Sequence, residues 1–199
     1  MTQAKSRFRN FEEYAALDPS ELPEGNYELV DGAIIEMGAE NDGNVVIAGF
    51  LFSVLLQFVP HYLLRRGTEI RVSSSLVTFR YPDLMVVTEE IHQALKRDRR
   101  SLIELDLPAP RLVVEVVSPG EPGSNNYDRD YIEKPQEYAK RGIPEFWLID
   151  PSRAVVLVLS LVDSSYKAAE FRGSDLIQST QFKQLNLTAQ QVLTAGEGT

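Results

Sequence analysis

Apolar residues in this chain fall mostly in short β-branched runs, with two longer segments of helical period between them. Residues 27–30 (Tyr-Glu-Leu-Val) and 33–37 (Ala-Ile-Ile-Glu-Met) flank Asp31-Gly32. Asp-Gly supplies the positive φ angles of a tight primed turn, so this stretch predicts a β-hairpin. Ile47, Leu51, Val54, Leu55 and Phe58 share one face at helical spacing. They predict a helix over 44–65, kinked or ended at Pro60. Strands are expected at 69–72, 76–79, 84–87, 112–117 and 146–149, and a terminal meander at 155–161 and 166–171. Short helices are expected at 11–16 and 188–193. A longer one covers 128–141, with Gly142 as its C-terminal cap and Pro144 as the stop. Residues 89–107 are charged and irregular, with at most a helical turn, and the Gly/Pro/Ser/Asn-rich 119–126 reads as a loop. This order implies an α/β fold, a mixed β-sheet flanked by helices with an N-terminal β-hairpin and a C-terminal β-meander. The 199 residues contain no repeat or linker and read as a single domain, with its core at about 14–193.

Two runs carry something the pattern does not need. Tyr81-Pro82-Asp83-Leu84-Met85-Val86-Val87 and Arg111-Leu112-Val113-Val114-Glu115-Val116-Val117-Ser118-Pro119 each hold one carboxylate in a strand that reads as buried on both faces. A carboxylate there is costly unless its charge is compensated. If the strands are neighbours, Asp83 and Glu115 face one side of the sheet and suit a hard cation such as Mg²⁺ or Mn²⁺. Asp130, Lys134 and Tyr138 recur at helical spacing and share a face. A lysine there can hold a water nucleophile or offset phosphate charge. Pro135 fits a first helical turn, so the helix is expected to start or bend near Lys134. Glu28 or Glu36, on the hairpin, can supply a third ligand.

Composition narrows the classes. The chain has no cysteine, which excludes disulfides, thiolate zinc sites and cysteine nucleophiles, and suits a reducing cytoplasm. The longest apolar stretch, 45–64, contains Gln57, Pro60 and His61 and is a poor membrane span. No apolar core follows the first basic residues, so no signal peptide is expected. A net charge of −9 argues against broad, non-specific nucleic-acid binding. The basic cluster Lys96-Arg97-Asp98-Arg99-Arg100 reads as a solvated loop.

These residues resemble the Uma-type family of restriction-endonuclease-like proteins, part of the PD-(D/E)XK nuclease superfamily. The resemblance rests on Tyr27-Glu28-Leu29-Val30-Asp31-Gly32, Pro82-Asp83, Val114-Glu115-Val116-Val117-Ser118-Pro119 and Lys134-x3-Tyr138-Ala139-x2-Gly142-Ile143-Pro144-Glu145-Phe146-Trp147-Leu148-Ile149-Asp150-Pro151. It implies a restriction-endonuclease-like core with a metal site at a fork in the sheet, DNA as substrate, Mg²⁺ or Mn²⁺ as cofactor, and a homodimer. Asp83 resembles the first acid of the superfamily motif and Glu115 the second, both as metal ligands. The motif's lysine belongs two residues after the second acid, where this chain has Val117. The resemblance implies that the role passes to Lys134 on the following helix, with Glu28 assisting. A second departure is Asn44, where relatives often carry histidine.

Plainer roles stand beside these. Asp83 can be a strand-entry turn residue, and Lys134 a structural partner for a buried Glu115. Ser118 forms a turn before Pro119. His61 and His92 lack metal-ligand spacing, Tyr138 and Trp147 read as core or interface aromatics, and Asp128 or Asp130 can cap a helix. The leading expectation is a Mg²⁺-dependent endonuclease acting on DNA in the cytoplasm. The alternatives are a catalytically inactive dimeric scaffold with the same fold, and a hydrolase of RNA or nucleotides.

Overall fold

The structure is a computed structural model that describes residues 8–22, 27–36, 41–72, 78–98 and 100–195. Its strands are β1 (Tyr27–Val30), β2 (Ala33–Glu36), β3 (Leu64–Arg65), β4 (Glu69–Arg71), β5 (Phe79–Arg80), β6 (Leu84–Val86), β7 (Leu102–Ile103), β8 (Leu112–Val116), β9 (Glu145–Asp150), β10 (Val155–Val162) and β11 (Ser165–Phe171). Its helices are α1 (Phe11–Ala15), α2 (Asp42–Leu55), α3 (Glu89–Leu95), α4 (Asn125–Asp128), α5 (Lys134–Arg141) and α6 (Ala189–Leu193). The strands form two mixed sheets among the described residues. The larger runs β11-β10-β9-β8-β6-β3 and the smaller β2-β1-β5-β4-β7. Among the described residues, only β8 with β9 and β4 with β7 pair in parallel.

Alternation along β8 explains why both of its faces are buried. Leu112, Val114 and Val116 enter a core shared with Ile47, Leu51 and Leu55 of α2 and Val192 of α6. Val113 and Val117 enter a second core with Tyr138, Ile143, Phe146 and Leu148. The smaller sheet has its own apolar cluster, built from Phe11, Tyr14, Leu29, Phe79 and Leu102. Glu115 falls between Val113 and Val117 in this alternation, so it is a charged residue on a face that is otherwise apolar.

Several expected boundaries move. The helix expected over 44–65 ends at Leu55. Gln57 and Phe58 then donate to carbonyls three residues back, tightening the last turn before Pro60, which has no N–H to continue it. Leu64 and Arg65 pair instead with Val86 and Met85 at the sheet edge. Residues 89–107 hold more regular structure than a helical turn. They hold α3, whose N-cap Thr88 accepts from Ile91 N, and β7, added in parallel to β4. Leu76 and Val77 of the strand expected at 76–79 lie outside the described residues, as does Met37, and β5 begins at Phe79.

The helix expected from 128 starts at Asn125, with Ser124 as its cap, and contains a π-turn over Arg129–Glu133. Pro135 supplies the reason. In a regular α-helix its ring would press on the carbonyl four residues back. The wider turn, in which Lys134 N bonds to Arg129 O, comes just before it, and α5 restarts at Lys134. Gly142 closes α5 at φ 79°, a left-handed position that glycine adopts without a Cβ penalty.

One buried cation ties the smaller sheet to the helix packed on the larger one. Arg80 of β5 is fully buried, and its Nη1 donates to Glu28 Oε2 of β1 at 2.8 Å. The same guanidinium makes a two-point bond to Glu137 at 2.7 and 3.0 Å and reaches Glu133 at 3.0 Å. The smaller sheet is thereby fastened to the helix that covers the larger one. Burial alone would weaken the protonation of Arg80, but Glu137 and Glu28 outweigh it and hold the guanidinium charged. Arg80→Met strands a buried carboxylate, so we expect a loss of roughly 3–5 kcal/mol in chemical denaturation. Arg80→Lys cannot reproduce the fork and should recover only part of it. A loss of under about 1 kcal/mol for Arg80→Met would contradict the clamp.

Candidate active site

The site begins at the end of β8. Asp83, just before β6, turns its carboxylate onto the neighbouring strand, where Oδ2 accepts from Val116 N at 2.6 Å. A residue that opens β6 and satisfies the last backbone N–H of its neighbour β8 sits where the two strands part. Val116 O accepts from Asn44 Nδ2 of α2 at 3.2 Å, so Asp83 and Asn44 both meet the backbone of a single residue. Arg66 Nε donates to the Asp83 carbonyl at 3.2 Å.

Next to it, on the face covered by α5, lies Glu115. Lys134 Nζ donates to its Oε2 at 2.8 Å, and the Tyr138 hydroxyl donates to its Oε1. Lys134 also lies 3.1 Å from Asp130 Oδ1 and 3.7 Å from Glu28 Oε1. Arg129 makes a two-point bond to Asp130 at 3.0 and 3.2 Å. Asp130, Lys134 and Tyr138 are the residues that helical spacing placed on one face, and the face survives the π-turn. Glu28, Glu115, Asp130, Lys134 and Tyr138 are all buried.

The charges shift one another. Burial pushes Glu115 up to about 7, with Asp83, Glu28 and Asp130 adding repulsion and Lys134 opposing it. Burial alone would also depress Lys134, but Glu115, Glu28 and Asp130 outweigh it and hold the ammonium protonated. Glu28 and Asp130 are likewise penalised by burial, yet Lys134 and an arginine beside each bring both below their ordinary values. Glu115 therefore holds its proton more tightly in the folded than in the unfolded chain. Its ionisation, as pH rises toward about 7, costs stability.

The residues singled out from sequence separate clearly. The structure gathers Glu28, Glu115 and Lys134 in one cluster, with Asp83 at its edge. Glu36 is not in it. The hairpin register sets Glu36 opposite Tyr27 and Glu28 opposite Ile35, so the two acids point to opposite faces. His92 Nδ1 lies 2.7 Å from Arg65 Nη2 and its ring packs on Tyr62, and His61 meets Tyr62 edge to face. Trp147 is a core residue whose Nε1 donates to Glu145. Asp130 is an ion-pair partner of Lys134 and caps no helix.

Sequence reading missed Arg80 and Arg129, and took Tyr138 for a core aromatic. The signal for Arg80 was present: an arginine beside Phe79 in a strand whose partner strand carries Glu28.

Among the described residues, no group of three or more Asp, Glu, His or Cys side chains is arranged to cage a metal ion. Mg²⁺ does not require one. It commonly takes one or two carboxylates and completes its shell with water and substrate phosphate. Asp83 and Glu115 are such a pair, close enough for the charge of one to raise the pKa of the other. Around them, Glu28, Asp83, Glu115, Asp130, Glu133 and Glu137 outnumber Lys134, Arg80 and Arg129, so the site carries excess negative charge. The donor set fits a small hard divalent cation.

A crystal structure of "a putative nuclease belonging to DUF820" from Anabaena variabilis superposes with a TM-score of 0.66. The match covers 89% of this chain and 96% of that one at 20% identity, which is a likeness of fold. No curated protein matches the chain. No described helix is long and apolar enough to cross a membrane. A family model, "Uma2: Putative restriction endonuclease", matches residues 11–190, from α1 through both acid-bearing strands and the Lys134 helix, and the chain belongs to that family.

Proposed function

We propose that this protein is an endonuclease that hydrolyses DNA phosphodiester bonds with the help of Mg²⁺ or Mn²⁺. The observation that carries the reading is the Lys134 ammonium 2.8 Å from Glu115, in a chain whose Val117 cannot supply the superfamily lysine. Asp83 and Glu115 would hold the ion, which when bound polarises a phosphoryl oxygen and lowers the pKa of water. Lys134 stays cationic, so it positions the attacking water and offsets phosphate charge; it does not accept the proton. Asp130 and Glu28 fix the ammonium from two further sides. Tyr138 orients the Glu115 carboxylate.

Asp83→Ala and Lys134→Ala should each lower Mn²⁺-dependent cleavage of DNA by at least roughly 100-fold, the scale expected for loss of one electrostatic group at a reacting centre. Because Lys134→Ala also strands carboxylates, Lys134→Arg serves as a charge-preserving companion, with folding checked by circular dichroism. Full cleavage by folded Asp83→Ala and Lys134→Ala proteins would remove both residues from the mechanism.

A second reading has its own support. Both oxygens of Glu115 are already engaged, by Lys134 and Tyr138, as in a closed structural ion pair. In that case the protein is an inactive dimeric scaffold. Metal binding separates the two, because an ion must displace the proton that Glu115 holds up to about 7. Calorimetric titration with Mn²⁺ should show proton release. Affinity should fall about tenfold per pH unit below that value and level off above it, the sign following from a proton that leaves before the metal binds. Absence of heat at millimolar Mn²⁺ favours the scaffold. The homodimer and the cytoplasmic setting belong to the same proposal, and sedimentation equilibrium tests the dimer.

A further inference from the structure

A cleft of about 200 Å³ opens at the end of β8, between the start of α2 and the loops that follow β8 and β9. Ile47, Val117 and Leu193 supply apolar wall, and Asn41, Asn44 and Ser152 supply polar groups. It borders the acid pair through Val116, whose N–H bonds to Asp83 and whose C=O bonds to Asn44. Among the described residues, no ionisable side chain lines it. A cleft without a cation does not suit a phosphate. Apolar walls with neutral amides suit a flat neutral heterocycle, and the volume, below the roughly 300 Å³ at which drug-sized ligand pockets begin, limits it to one ring system.

The two amides are oriented by their backbone partners. Asn44 Nδ2 donates to both Val116 O and Val117 O, at 3.2 and 3.4 Å, so its amino group faces the strand. Asn44 Oδ1 is left as an acceptor without a bond to the described residues. Asn41 is held the other way round. Its Oδ1 accepts from Gly43 N at 2.9 Å, which leaves its Nδ2 as a donor. One fixed acceptor and one fixed donor, over an apolar floor, complement the polar edge of a nucleobase, as amide side chains do when they read bases.

We propose that this cleft receives one unstacked nucleobase of the substrate strand, next to the bond that is cut. The proposal rests on the DNA-hydrolysis reading above and adds to it a recognition site distinct from the acids and Lys134.

The test is cleavage of a short single-stranded DNA in which each position in turn is made abasic. Wild-type protein should lose roughly tenfold in kcat/KM at one position beside the cut, as expected for one lost base contact, and little elsewhere. Ser152→Trp fills the mouth of the cleft from an exposed turn. Asn41→Asp keeps the helix cap but replaces the donor with an acceptor. Both variants should still cleave and should flatten the abasic profile. A flat profile in an actively cleaving wild type overturns the base site and leaves the nuclease reading standing. So does an unchanged profile in Ser152→Trp and Asn41→Asp. Absence of any metal-dependent cleavage overturns both.

Discussion

The fold closes around one buried ammonium. Lys134 is almost fully out of water, and a lone charge in that position costs several kcal/mol unless it is surrounded by partners. Glu115 comes to it from β8, Glu28 from β1 and Asp130 from the π-turn one helical step back. Those partners belong to the larger sheet, the smaller sheet and the covering helix. Satisfying one charge therefore sets the relation among three parts of the chain, and Arg80 repeats the demand with Glu28, Glu133 and Glu137.

The same constraint shapes the chemistry. Acids outnumber bases around Lys134 and Arg80; burial first, and repulsion from Asp83, Glu28 and Asp130 after it, raise the pKa of Glu115. Under the proposed function, a cation brought near it would relieve repulsion already present in the folded protein. Asp83 is held by the end of β8 while Glu115 accepts from the ammonium, so the two acids have different jobs even without an ion: one compensates a buried lysine, the other satisfies the backbone where β8 ends. The backbone of Val116 separates a charged side from a neutral one, with the carboxylates toward α5 and the amide-lined cleft toward α2.

Much of this was legible along the chain. The hairpin, the buried β8 and the Gly142 cap follow from local rules: turn chemistry, alternation and the absence of a Cβ. Asp83, Glu115 and Lys134 stood out because a charge inside an apolar run, or facing one at helical spacing, is costly by itself. Pro135 announced an irregular helix at the place where the π-turn occurs. The end of α2, the existence of β7 and the division into two sheets were not legible. Each depends on which distant strand offers an edge, as β6 does for Leu64 and Arg65.

The sequence by itself marked Glu115 as a charge inside a buried run, since desolvation penalises it wherever that strand docks, but it did not mark Arg80. Only the tertiary structure decided who compensates whom. It chose Glu28 over Glu36 through a hairpin register that turns one inward and the other away, and it turned Tyr138 from a core aromatic into a donor to Glu115. It also made Arg80 the link between the smaller sheet and the helix that covers the larger one. Burial is a property that a local pattern announces, whereas pairing is a distance between segments far apart in sequence, and that distance exists only once the sheets have docked.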